Sequence, residues 1–221
     1  MSDANGSDTN EERLGRTLTV WRAASMAAGR GRLGDADALL DSSWRDDAAD
    51  LFERGPALRD LLILTVNDPQ LMDEGMIGTA AADPHSPVVV RLMDRVCRRG
   101  WDDTDPEGYF RRMDWAADQL ESMADSSPAA SRETRADMLA AAAHIHWYAG
   151  DGPEADRVAR RALDTDEHNV LSALVAGAVR AGWFFGDSDR ARVTFAQPFV
   201  GGPSDPMAIA MRGSAASAMA L

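Results

Sequence analysis

Four places in this 221-residue chain hold side chains that could do chemistry. Asp103, Asp105, Glu107 and Asp114 fall at ligand positions of a calcium loop, with Gly108 at its turn and Phe110 at its apolar position. Such a loop wraps hard oxygen donors around one ion, and glycine permits the sharp bend. The match has departures: Glu107 replaces Asp or Asn, Asp114 replaces a bidentate Glu, Pro106 lies inside, and Arg111 and Arg112 crowd the site. The competing expectation makes Asp105-Pro106 a helix start, with Phe110 in the core. Gly29-Arg30-Gly31-Arg32-Leu33-Gly34 matches the G-x-G-x-x-G of dinucleotide loops. That chemistry needs a preceding strand and a helix N-terminus aimed at a pyrophosphate. Here WRAASMAA precedes it with a helical pattern, and Asp35 and Asp37 would repel phosphate, so an inter-helix turn is expected. His144 and His146 are two apart on an expected helix and point to different faces, so they cannot grip one metal together. Cys97 has Arg95, Arg98 and Arg99 nearby to favour its thiolate, but it follows Val96 on an apolar side and is expected to be a core thiol.

Helices must position these residues. Asn10 with Glu11 and Glu12 looks like a cap and acidic first turn, and Leu14, Leu18 and Trp21 carry a helix to about Ala28. A short helix is expected over Asp35–Ser43 through Ala38, Leu39 and Trp44. Leu58, Leu61, Leu62 and Thr65 line one face after Gly55-Pro56. The segment 61–66 is apolar nearly all round, so a buried strand competes; helix is favoured because no second strand-like segment could pair with it. Residues 70–85 are poorly patterned, a weak helix or a loop. Ser86-Pro87 and Asp105-Pro106 are start signals. The first is followed by Val89, Leu92, Met93 and Val96, the second by Phe110, Met113, Ala117 and Leu120 to about Ala124. Helices follow over about Arg132–Ala149 and Pro153–Asp164. The stretch 168–181 is apolar on all sides and expected to be buried.

Composition bounds the rest. With 45% hydrophobic and 27% charged residues the chain is globular. Aromatics are 6%, and six are Trp, the bulk an Ala-rich helical core needs. Net charge is −13, which disfavours nucleic acid and anionic membranes and serves solubility or a basic partner. All 23 basic residues are Arg, the usage of a GC-rich bacterial genome. One cysteine, no signal-like N-terminus and no long apolar run point to a cytoplasmic protein. Residues 1–10 have little to bury and are expected to be disordered. Residues 11–185 form the expected helical domain. Residues 186–221, poor in charge, form a tail that is partly ordered or a terminal helix from Asp205-Pro206.

Gly150-Asp151, Glu154-Ala155, Ala162-Leu163 and Asp166 resemble the second half of a tetratricopeptide repeat. Going backward, Ala143 takes the small position, Leu139 stands for the usual Trp, and His146 for the usual Tyr. Gly177 takes the next small position, and Gly186-Asp187 repeats the turn 36 residues on. The repeat-like unit lies near 132–182. RDLLILTV, Trp147, Gly150-Asp151-Gly152 and the Ala155–Asp166 helix are also similar to the helical C-terminal half of an uncharacterised actinobacterial domain-of-unknown-function family, over roughly residues 56–182. The resemblance implies an all-α fold, antiparallel helix pairs stacked as a tetratricopeptide-like array, and no activity to carry over.

The expected function is a non-catalytic protein–protein interaction or scaffold role, with no cofactor and a protein partner; homo-oligomers stay open. Trp147, Tyr148, Trp183, Phe184 and Phe185 are the candidate contact residues. The alternative is a calcium- or small-ligand-binding regulatory protein using the loop 103–114.

Overall fold

The computed structural model describes residues 9–99, 105–127 and 130–183, with the side chains of 97–99 left aside. The expectations for residues 1–8 and 186–221, and for Asp103, Phe184, Phe185 and the Cys97 thiol, lie outside the described residues. Within them the chain is all-helical: α1 (Asn10–Gly29), α2 (Leu33–Leu39), α3 (Ser42–Glu53), α4 (Ala57–Asn67), α5 (Glu74–Ala82), α6 (Pro87–Arg99), α7 (Pro106–Ser126), α8 (Arg132–Tyr148), α9 (Gly152–Thr165) and α10 (Val170–Arg180). No strand occurs among these residues, so 61–66 is helix.

Helix α1 starts on a capping box. The Glu12 N–H donates to the Thr9 hydroxyl (3.2 Å), and the Thr9 N–H donates back to the Glu12 carboxylate (2.8 Å). The cap is therefore Thr9 rather than Asn10, and residues 9 and 10 belong to the fold rather than to a disordered end. The helix expected over 35–43 is two helices, broken at Leu40-Asp41, where the Asp41 carboxylate accepts the Trp44 N–H and starts α3. Ala38 and Leu39 face water; Ala36 and Leu40 are the buried pair. The poorly patterned stretch holds α5, capped by Asp73.

Helix α1 is the centre of the first half, packed by α2, α3, α4, α5 and α7. Three tryptophans fill the space between them. Trp21 stacks on Trp44 (5.7 Å between ring centres) and leans on Trp115 (5.1 Å). Each indole N–H has an acceptor: Trp21 donates to the Leu62 carbonyl, Trp44 to the Thr17 carbonyl, and Trp115 to Asp37. The adjacent Arg111 and Arg112 on α7 finish two other helices. Arg111 donates to the Gly29 carbonyl at the end of α1, and Arg112 to the Val66 and Asn67 carbonyls at the end of α4.

The second half is a sequential stack. Helix α8 packs on α7 and α9, and α10 packs on α9 and α8. Its core is largely small: Ala136, Ala140, Ala141, Ala142 and Ala143 on α8 and Ala155, Ala159 and Ala162 on α9 are fully buried. Small side chains let helix axes approach closely, so dispersion contacts are made by backbone as well as side chains.

Candidate functional site

Helix α10 is the last described helix of the stack, and it is not covered all round. Asn169 starts it: its side-chain carbonyl accepts the Ser172 N–H (3.0 Å), while its amide donates to Asp137 on α8 (2.8 Å). Val175, Ala176 and Val179 are buried in the stack. Val170 and Leu174, one turn apart, are 71% and 44% exposed. The expectation of a helix buried on all sides is corrected: the other face of α10 lacks a neighbouring helix among the described residues.

The chain leaves α10 through Gly182, which has φ of 69°. The Gly182 N–H donates to Val179 and the Trp183 N–H to Ala178, the paired bonds of a Schellman end. This turn sets Trp183, 37% exposed, beside α8, where its carbonyl accepts the Trp147 indole N–H. Trp147 stacks on His144 (5.4 Å), and His144 meets Tyr148 edge-on (5.0 Å). Burial, helped by the Arg59 charge, pushes His144 down to about 4, so at neutral pH it is an uncharged ring among rings. Of the contact candidates, Trp183 is exposed and Trp147 half-buried. Tyr148 is corrected to a core residue, 4% exposed, because it lies on the inner side of α8.

A polar brace ties the same stack together. Glu121 on α7, only 14% exposed, accepts Arg157 through both oxygens (2.9 and 3.1 Å) and Arg161 through one (3.1 Å), both from α9. Arg161 also reaches Asp125. His146 on α8 brings Nε2 to 3.8 Å from Glu121, an ion-pair distance too long for a hydrogen bond. Burial pushes the Glu121 carboxyl up, but His146 and Arg157 outweigh it and hold it at about 2. Glu121 is thus a fixed anion that braces three helices, not a proton donor near neutral pH.

The motifs that suggested ligands have other work. Asp105 is the N-cap of α7 and accepts the Gly108 N–H (2.9 Å), with Pro106 in the first turn. A Cβ on Gly108 would collide with that carboxylate, so the glycine serves the cap. Glu107 pairs with Arg111, and Asp114 lies two turns into the helix. A calcium loop surrounds its ion with irregular backbone, whereas this backbone is helical from Pro106. No group of three or more His, Cys, Asp or Glu among the described residues could hold a metal ion. In the glycine motif, Gly31 (φ 77°) is the left-handed end of α1, and Gly29 lets α1 approach α7, since a Cβ there would meet the Gly108 carbonyl at 3.2 Å. Gly34 faces open space. His144 and His146 lie on different faces, as their spacing requires.

The sequence named Trp147 and Trp183 but missed Val170 and Leu174, whose only signal was apolar character on a helix too short of neighbours. Compared with known proteins, the chain matches no family model, no curated protein and no solved structure. No helix among the described residues is long and apolar enough to cross a membrane.

Proposed function

We propose that this is a non-catalytic protein–protein interaction protein of helical-repeat type, and that it binds an amphipathic helix of a partner along α10. The observation that carries this is the open strip of Val170, Leu174 and Trp183 at the end of an otherwise packed stack. The occupant is a helix because that is how the stack already grows: among the described residues α8 is flanked by helices on two sides, while α10 packs on its preceding neighbours. Repeat character is supported by the motif positions. Leu139, Ala143, His146, Ala155, Ala162 and Gly177 are all buried, and Gly150 turns the chain with φ of 75°.

The test is affinity capture from native lysate with the full chain and with Val170→Glu/Leu174→Glu. A stoichiometric partner held by the wild type and lost by the double variant, with the variant's circular dichroism and melting temperature unchanged, is the expected result. Capture that survives the double substitution overturns the assignment of α10 as the binding face. Trp183→Ala is expected to weaken capture less, because the residue is only partly exposed.

A further inference from the structure

Helix α6 carries a second and chemically different surface. Its inward face is Val89, Leu92 and Val96, set against α4 and α5, with Met93 partly covered. Its outward side exposes Val88 (42%) and Val90 (46%) together with Arg91 and Arg95, which are one helical turn apart. By sequence the helix holds four arginines, Arg91, Arg95, Arg98 and Arg99, against the single Asp94.

What marks out Arg91 and Arg95 is that they stand together, exposed and one turn apart on the same side of α6, with no carboxylate among the described residues paired to either. Several other arginines are held by carboxylates: Arg13 by Asp47 and Asp50, Arg59 by Asp60 and Asp137, Arg157 and Arg161 by Glu121. Among the described residues, neither Arg91 nor Arg95 makes an ion pair or a side-chain hydrogen bond. In a chain of net charge −13, with 36 acidic residues to draw on, a helix side where two unpaired arginines outnumber the one carboxylate, Asp94, is a local reversal of sign. Such a ridge attracts carboxylates from outside, and the flanking valines supply apolar area that a purely electrostatic contact would not use.

We propose that the outward face of α6 docks an acidic amphipathic helix of a partner protein. Two carboxylates one turn apart face Arg91 and Arg95, and an apolar side chain seats beside Val88. Acidic protein is favoured over a membrane or a nucleic acid because the rest of this surface is strongly negative. It would repel an extended anionic sheet or polymer that a single short helix avoids. The surface is independent of α10.

The probe is a fluorescein-labelled helical peptide about 18 residues long, with leucine on one face and glutamate at one-turn spacing on the other. Its twin carries glutamine in place of glutamate. Anisotropy with the full chain is expected to show saturable binding of the acidic peptide that weakens roughly tenfold or more in Arg91→Glu/Arg95→Glu and falls as salt rises. Val170→Glu/Leu174→Glu leaves this binding unchanged, which separates it from the α10 surface. Arg91→Lys/Arg95→Lys retains most of it. Equal binding of the glutamine twin, or equal binding by the charge-reversed variant, overturns the proposal. So does partition onto phosphatidylglycerol vesicles that the acidic peptide does not displace. Because both arginines are exposed and unpaired, the variants are expected to melt with the wild type, and loss of binding reads directly on the surface.

Discussion

The helices gathered around α1 and the stack from α8 to α10 close their cores by opposite means. Around α1 the contacts join residues far apart in the chain: Trp21 meets Trp44 and Trp115, and Arg112 reaches back to Val66 and Asn67. In the stack each helix rests chiefly on the one before it, through alanine, with Glu121 as the principal cross-brace. A core built on distant aromatic contacts is complete only as a whole. A core built on near neighbours can stop after any helix, and it leaves the last one with a bare side. Among the described residues the open apolar strip accordingly lies on α10, the last of their helices, and not on α1.

The comparison breaks most readily at Trp21. It is fully buried, stacks on Trp44, leans on Trp115 and donates to Leu62, so Trp21→Ala is expected to cost about 3–5 kcal/mol. Urea unfolding measures it, and a loss below about 1.5 kcal/mol would mean that the aromatic cluster is not what closes the first half.

Acid should act on the stack before the bundle. His144 has a folded value of about 4, below the ordinary 6.5. The unfolded chain therefore takes up a proton first, and stability falls as pH drops from about 6.5 towards 4. Glu121, at about 2 against an ordinary 4.5, contributes stability that is complete above about 4.5 and lost as pH falls towards 2. Each effect is of order 2 kcal/mol once solvent access is allowed for. Melting temperatures across this range should decline in the wild type. His144→Gln should flatten the upper part and Glu121→Gln the lower. A wild-type profile flat from about pH 7 to about pH 4.5 would remove His144 from the account.

Legibility followed the same divide. Asp105-Pro106, the cap and first turn of α7, and the bounds of α8 and α9 were readable because caps and apolar period are local signals. Helix α3 was not seen past Trp44, since the break at Asp41 interrupts the period and RDDAAD dilutes it with charge. Helix α5 was obscured by Gly75 and Gly78, although its cap Asp73 stood in plain view. The tryptophan cluster could not be read, because nothing local joins residues 21, 44 and 115. At the candidate site, the sequence offered Trp147 and Trp183 by type. It misjudged Val170 and Leu174 because apolar character says that a face wants cover and not whether a neighbour supplies it.

The glycine motif gives a smaller and sharper test of local structure. Gly31 holds a left-handed conformation at the end of α1, so Gly31→Ala is expected to cost about 1–2 kcal/mol. Gly34 lies within α2 with open space around it, and Gly34→Ala is expected to be neutral or to stabilise by up to about 1 kcal/mol. Chemical denaturation of the two variants side by side checks both. Equal costs would mean that the motif is held by something other than a helix end.

The smallest expected effect decides the most about function. Leu174→Ser removes an apolar side chain that is 44% exposed, and its cost is expected to stay within about 0.5 kcal/mol. Met138, one 36-residue period earlier on α8, is fully buried, and Met138→Ser should be costly by comparison. If Leu174→Ser instead costs more than about 1.5 kcal/mol, α10 is covered in solution. The same measurement in a chain ending at Trp183 then tells by what. A cost that vanishes on truncation puts the chain's own following residues on α10. A cost that persists and depends on protein concentration puts a second copy there, since assembly links stability to mass action. Either result moves α10 from the docking surface of a partner to the interior of the array, whereas a small cost leaves the strip free to bind.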